Sequence, residues 1–305
     1  MGIAPSGRQF EITWGRQRAT VVELGAGIRE YAVGERRVLE PYPLQAICDG
    51  AHGAVLIPWP NRIADGRYSF DGVEHQLDLS EPARANAIHG LLRWRPWTMA
   101  EHGRGHVVLQ TALLPSSGYP FSLELCILYE LSGEGLTVST TAVNVGQQTC
   151  PYGAGQHPYL SPGSGTVDDC TLQLAAATRL VNDGRMIPTG SEPVAGTELD
   201  FRSPRRIGEA QFDVALTDLD RDARGHATAR LTGVDGRCVE LWVDEHHEFL
   251  EIFTGDTLAP ARRRTGLALE PMTCAPNAFQ SAHGLLRLEP GGRLTTRWGV
   301  GLCEA

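Results

Sequence analysis

A side-chain period of two, interrupted every few residues by glycine or proline, limits this chain more than any other feature. Phe10, Ile12 and Trp14 alternate with Gln9, Glu11 and Thr13. The stretch FSLELCILYEL, from Phe121 to Leu131, is apolar at nearly every second position, and LTVSTTAVNV, from Leu136 to Val145, behaves the same way beyond Gly133 and Gly135. HVVLQTALL, CVELWVD, FLEIFTG and LTTRWGVGL are further runs of the same type. Successive side chains of a strand point to opposite faces, so this spacing builds half-buried strands and cannot line one face of a helix. The 35 glycines and 19 prolines are spread through 305 residues and leave little room for long helices. One helical turn is expected around Ser203 to Ala210. Asn182-Asp183-Gly184 is a turn signal, and Thr189 to Arg206, rich in Pro, Ser, Gly and Glu, reads as a long surface loop. The pattern predicts an all-β fold, a sandwich or barrel. No linker divides the chain, so residues 1–305 are expected to form one domain.

Composition then removes several chemistries. All 27 basic residues are arginine; the chain has no lysine. Schiff-base catalysis and a Walker A phosphate loop both need that lysine. The 36 acidic residues give a net charge of −9, which argues against a nucleic-acid partner. No apolar run reaches the length of a signal peptide or a membrane span, so a cytoplasmic protein with no membrane partner is expected. Seven scattered cysteines, without a C-x-x-C pair, resemble neither a zinc site nor a disulfide framework, and free thiols are the expectation. His246 and His247 are adjacent and point to opposite faces of a strand, so no metal site is expected there.

Four segments stand apart from the alternating background. In Pro58-Trp-Pro-Asn61-Arg62, a rigid turn holds an Asn-Arg pair; the guanidinium either recognises hydroxyl or carboxylate groups or forms a surface salt bridge. In Asn86-Ala-Ile-His89-Gly90, the histidine is either a ligand-binding imidazole or a satisfied core residue. In Gly153-Ala-Gly-Gln-His157-Pro-Tyr159, two glycines permit close backbone approach and a proline fixes the chain after the histidine. In Leu267-Ala-Leu-Glu270-Pro, a carboxylate sits in an apolar strand, where burial is costly unless the group is paired or used. His157 and Glu270 make an acid/base pair if the fold brings them together.

Together these segments resemble the aldose 1-epimerase (galactose mutarotase) family. The likeness covers roughly residues 10–302. It rests on Pro58 to Gly72, Asn86 to Gly90, Gly153 to Tyr159 and Leu269 to Phe279, in that order. It implies a large antiparallel β-sandwich of the galactose mutarotase-like supersandwich type. It also implies a free monosaccharide as substrate, with no cofactor and no metal. By position, His157 matches the general acid on the ring oxygen and Glu270 the general base on the anomeric hydroxyl. Arg62, Asn61 and His89 match sugar-binding residues, as does Asp213, with Asp218 close by in sequence. Phe253 matches an apolar wall. A histidine near its ordinary 6.5 and a glutamate raised by partial burial suit the two roles. Asn277 stands where the family often has aspartate, which puts a local salt bridge or turn in question. Rival readings are a hexose 6-phosphate epimerase using Arg262-Arg263-Arg264, a non-catalytic sugar-binding protein, and a glycoside hydrolase, which needs two carboxylates.

Overall fold

A computed structural model describes residues 2–163 and 165–303. The chain is 49% strand and 3% helix, an all-β fold built of large antiparallel sheets. A nine-stranded sheet runs, in spatial order, through Thr98–His102, His106–Leu113, Leu123–Ser132, Gly135–Asn144, Arg293–Cys303, Cys238–Val243, Ala227–Thr232, Thr171–Leu174 and Arg205–Arg206. Its long strands are the runs whose alternation is clearest. Leu123, Leu125, Ile127, Tyr129 and Leu131 are buried, and the residues between them reach outward.

A twelve-stranded sheet opens with Gln9–Trp14, Gln17–Val22, Ile28–Val33 and Arg36–Leu39. It continues through Tyr159–Leu160, Leu267–Met272, Phe249–Phe253, Asp213–Leu219, Ala176–Asn182 and Pro188–Pro193. Two-residue strands, Val55–Leu56 and Gly155–Gln156, attach beside this path. Side chains from both sheets merge into one apolar cluster, for example Ile12, Val21, Leu250 and Ile252 with Ile127 and Leu241. Each fully buried side chain of this size contributes about 1.5–3 kcal/mol. Three two-stranded pairs decorate this frame.

Three expectations need correction. Ser203 to Ala210 is not helical: Arg205–Arg206 forms an edge strand against Thr171 and Leu172, with Pro204, which has no N–H to donate, just outside it. The α-helix among the described residues is Ala278–Ser281. Thr189 to Arg206 is not all loop, because Pro188–Pro193 pairs with Ala176–Asn182. Its side chains face solvent on both sides, so it carries no hydrophobic period; backbone pairing holds it, joined by the Arg179–Glu192 ion pair at 2.7 Å. Cys238 and Cys303, directly opposite each other on neighbouring strands, form a disulfide with Cα atoms 5.3 Å apart, whereas Cys48, Cys126, Cys150, Cys170 and Cys274 are free.

Candidate active site

Three central strands of the twelve-stranded sheet are apolar on one face and carry acid on the other. Leu216, Leu250, Ile252, Leu267 and Leu269 belong to the inter-sheet core. The alternate residues point away from it. Register places Glu251 opposite Glu270, and Asp213 opposite Phe253. Directly opposed residues share a face, so Asp213, Glu251, Phe253 and Glu270 stand together on the side away from the core. Loops and one small two-stranded pair, rather than the second large sheet, cover that side. A carboxylate can therefore sit in a strand whose other face is wholly apolar.

The histidine enters from the same face. Tyr159 is opposite Ala268, and the ring of His157 stacks on it at 5.0 Å between centroids. His157 Nε2 lies 3.1 Å from Glu270 Oε1, with both side chains almost fully buried. Gly155 makes the approach possible: a Cβ there would stand 2.8 Å from the carbonyl oxygen of Pro271. Behind Tyr159 the stack continues. Its hydroxyl donates to the Gly50 carbonyl at 2.8 Å, and its other neighbour is the parallel ring of His52 at 4.2 Å. His52 Nδ1 accepts from Arg262 Nη2 at 2.8 Å, while its Nε2 meets the Glu40 carbonyl, which fixes the neutral Nε2–H tautomer. Burial holds His52 down to about 3.

The arginine run therefore does not converge on one anion. Arg262 braces His52 and lies 3.5 Å from Asp49. Arg264 is held by Asp168 at 2.5 Å, by Asp256 at 2.8 Å and by the carbonyls of Gly208 and Ala210. Arg263 is exposed.

The opposite wall is a small two-stranded pair, Arg62–Ala64 with Asn86–Ile88. Trp59, buried against Phe279, anchors the turn that leads into it. Arg62 is indeed ion-paired, but buried rather than at the surface. Its Nε and Nη2 donate to the two oxygens of Glu81 at 2.9 and 3.1 Å, and Nη1 reaches Asn61 Oδ1 at 3.4 Å. Asn86 and Arg84 also donate to Glu81, which stays ionised below the ordinary glutamate range because these donors outweigh its burial. His89 follows, with φ 62°, its N–H bonded to the Asn61 carbonyl at 2.8 Å and its ring edge-on to His157 at 5.6 Å. The next residue is also left-handed, and a Cβ at Gly90 would fall 2.0 Å from the Ile57 carbonyl oxygen. Asn277 does without the charge: its Oδ1 accepts the Ala64 N–H at 3.0 Å, its N–H donates to the Arg62 carbonyl at 2.7 Å, and its φ is 63°.

Asn61, Arg62, His89, His157, Asp213, Phe253 and Glu270 all line one cleft of about 270 Å³. His89 Nδ1, His157 Nδ1 and Glu270 Oε2 are buried without a hydrogen-bond partner among the described residues. That is capacity left for a ligand rich in hydroxyls. Burial pushes Glu270 well above the usual carboxylate range, with the Asp213 charge adding to it. Burial lowers His157 to about 3, not to the expected 6.5, with positive charge from neighbouring side chains contributing. The closed site disfavours separated charges. Both shifts put the pair's dissociable proton on Glu270 at rest, one transfer away from His157 Nε2 at 3.1 Å.

Sequence reasoning missed Glu81, Arg93, Glu251 and the His52–Tyr159 column. Glu81 lies in a polar stretch that reads as solvated. Arg93 lines the cleft with its guanidinium 5.4 Å from the Trp94 ring and makes no ion pair among the described residues. Glu251, in Phe-Leu-Glu-Ile-Phe, carried the same signal as Glu270: a carboxylate among apolar residues of a strand.

The fold is thus an antiparallel sandwich with a paired histidine and glutamate at the floor of one cleft. Residues 8–299 match the aldose 1-epimerase family, and the chain belongs to it. It is 36% identical over 290 residues to the uncharacterized protein YihR of Escherichia coli, covering 94% of this chain and 90% of that protein. Galactose mutarotase of Sus scrofa is 28% identical over 309 residues, covering 93% and 84%. The solved structure of a GalM/aldose epimerase homologue from C. elegans superposes with a TM-score of 0.87 at 17% identity, covering 98% and 99%.

Proposed function

We propose that the protein is an aldose 1-epimerase that interconverts the α and β anomers of a free monosaccharide. The observation that carries this reading is the 3.1 Å contact between His157 Nε2 and Glu270 Oε1 at the floor of the cleft. Ring opening removes a proton from the anomeric hydroxyl and delivers one to the ring oxygen. These two oxygens are bonded to the same carbon, so the acid and the base must lie close together. In this reading the proton of Glu270 first passes to His157; Glu270, now a carboxylate, takes the hydroxyl proton, and the imidazolium of His157 protonates the ring oxygen. Rotation about the C1–C2 bond then exposes the other carbonyl face, and the same groups close the ring in reverse. A resting pair with one shared proton needs no net proton uptake in a cycle.

Arg62, locked by Glu81, with Asn61, His89 and Asp213 supplies donors and acceptors for sugar hydroxyls, and Phe253 supplies an apolar wall. The cleft is near the lower end of the roughly 300–1,000 Å³ range of small-molecule sites, which suits one sugar ring. Polarimetry on freshly dissolved galactose and glucose tests the proposal. The protein should accelerate the approach to anomeric equilibrium, and Glu270→Gln and His157→Asn should each abolish most of that acceleration. Sugar binding with no acceleration by the wild type would favour a non-catalytic binding protein.

Arg93 supports a second reading, an aldose bearing an anionic group such as a hexose 6-phosphate. It is a cation of the cleft without an ion-pair partner among the described residues, whereas Arg262 and Arg264 are already engaged. Comparing anomerisation of glucose with that of glucose 6-phosphate, in wild type and Arg93→Ala, separates the two.

A further inference from the structure

One buried acid remains outside the mechanism just described. Glu251 is 1% exposed, in the middle of the Phe249–Phe253 strand, and its Oε2 has no hydrogen-bond partner among the described residues. It does not line the cleft; Asp213 and Glu270, its neighbours on the two flanking strands, do. Register puts Glu251 opposite Glu270 on one side and opposite Ala215 on the other, with half-buried Asp213 diagonal to it on the same face. On that face its carboxyl stands between the strands that carry Asp213 and Glu270. Two carboxyl groups hydrogen-bond to each other only when one of them carries a proton. Of the two, Glu251 is enclosed and Asp213 opens to the cleft, so the uncharged form belongs to Glu251.

We propose, building on the sugar-binding role given to Asp213 above, that Glu251 is a positioning residue. As a neutral carboxylic acid it donates its hydrogen to Asp213 and holds that carboxylate toward the substrate beside Glu270. The groups facing Glu251 are Asp213 and Glu270 on the adjoining strands and the Arg62 guanidinium across the cleft. The two acids push its titration up and Arg62 pulls it down, and burial, the largest influence, raises it further well above the usual range. The arrangement leaves one acceptor group at the sugar and keeps the second negative charge out of a closed site, where two like charges on adjacent strands would repel. An amide can replace a protonated carboxyl as donor, whereas an alkyl side chain of similar size cannot.

The test uses Glu251→Gln and Glu251→Leu in the full-length protein. Anomer interconversion is followed from pH 6 to 10, together with infrared difference spectra of the unliganded proteins. Glu251→Gln should keep kcat/KM within about threefold at neutral pH, and Glu251→Leu should raise KM by about tenfold or more with a smaller change in kcat, the cost of one lost charge-assisted hydrogen bond. Wild type should lose sugar affinity as pH rises through the Glu251 titration, and Glu251→Gln should not. The protonated-carboxyl absorption of wild type at neutral pH should lose one of its two components in Glu251→Gln, and the remaining component, that of Glu270, should disappear in Glu251→Gln/Glu270→Gln. Equal damage from Gln and Leu, or an absorption unchanged between wild type and Glu251→Gln, overturns the proposal. If wild type shows no anomerase activity, the functional reading falls, and the infrared band together with the alkaline limb of thermal stability still decides the state of Glu251. A raised folded-state titration stabilises the protein below the ordinary glutamate range and loses that contribution as pH climbs through the raised value. Wild type should therefore lose stability more steeply than Glu251→Gln as pH rises above the ordinary glutamate range.

Discussion

The two large sheets divide the labour of this molecule unevenly. The nine-stranded sheet has strands of up to 11 residues, alternates buried and outward positions, and holds one face against the core. The twelve-stranded sheet is interrupted at its centre by two-residue strands and is buried there on both faces. Its second face is polar, and acid, imidazole and guanidinium groups collect on it. A sheet that needs only to pack can be regular. A sheet that also delivers His157 and Glu270 to one point uses short pieces whose direction is set by glycine, proline and loops. The contrast predicts that damage to one sheet is read as stability and damage to the other as activity.

The strongest way to break that contrast is Glu270→Gln. It should lower the anomerisation rate by about 10²–10⁴-fold and leave the melting temperature unchanged or higher, because a buried group pushed away from its ionised form is no longer strained toward it. A matching fall in stability and activity would merge the two roles. Next is Arg62→Ala, which leaves Glu81 half-buried without its main partner. It should cost about 3–5 kcal/mol in denaturant unfolding and weaken sugar binding, so this one position should score on both scales.

Ile127→Ala is the control from the nine-stranded sheet. It should destabilise by about 2–5 kcal/mol, with kcat/KM per folded molecule unchanged. Acid sharpens the comparison further. His52 and His157 titrate at about 3 in the fold against 6.5 in the unfolded chain. Above pH 6.5 both states leave them neutral. As pH falls from 6.5 toward 3 the unfolded chain takes up protons that the fold refuses, and stability drops by about 1.4 kcal/mol per pH unit for each such histidine. His157→Asn should flatten that slope in urea titrations. Smallest of all, Arg263→Ala should shift stability by no more than about 0.5 kcal/mol and leave the rate unchanged, which a cluster of three cooperating arginines would not allow.

The same division explains what the sequence discloses. The strands around Leu123–Ser132 and Gly135–Asn144 are legible because one face is wet and the other dry, and period two follows. Pro188–Pro193 is wet on both faces and carries no such period. Glu270 is visible as a charge in an apolar run. Glu251 offers an equal signal, but its meaning depends on the register that sets it against Glu270 and Asp213, and register between distant strands is not written in either segment. Glu81 and His52 act through partners 19 and 210 residues away. The disulfide is of the same kind, joining residues 65 positions apart that become neighbours only when their strands pair.

The floor and the rim of the cleft are made of different material. Glu270 and Asp213 sit on strands whose reverse faces are the hydrophobic core, so a change of backbone course there is transmitted into the packing of two sheets, whereas an isosteric side-chain exchange is not. Cys48, Trp94, Thr257 and Leu258 edge the same space from loops. Those positions can exchange size, charge and polarity at little cost to the fold. In the epimerase proposed, sugar preference can drift in these loops while the His157–Glu270 floor stays as it is.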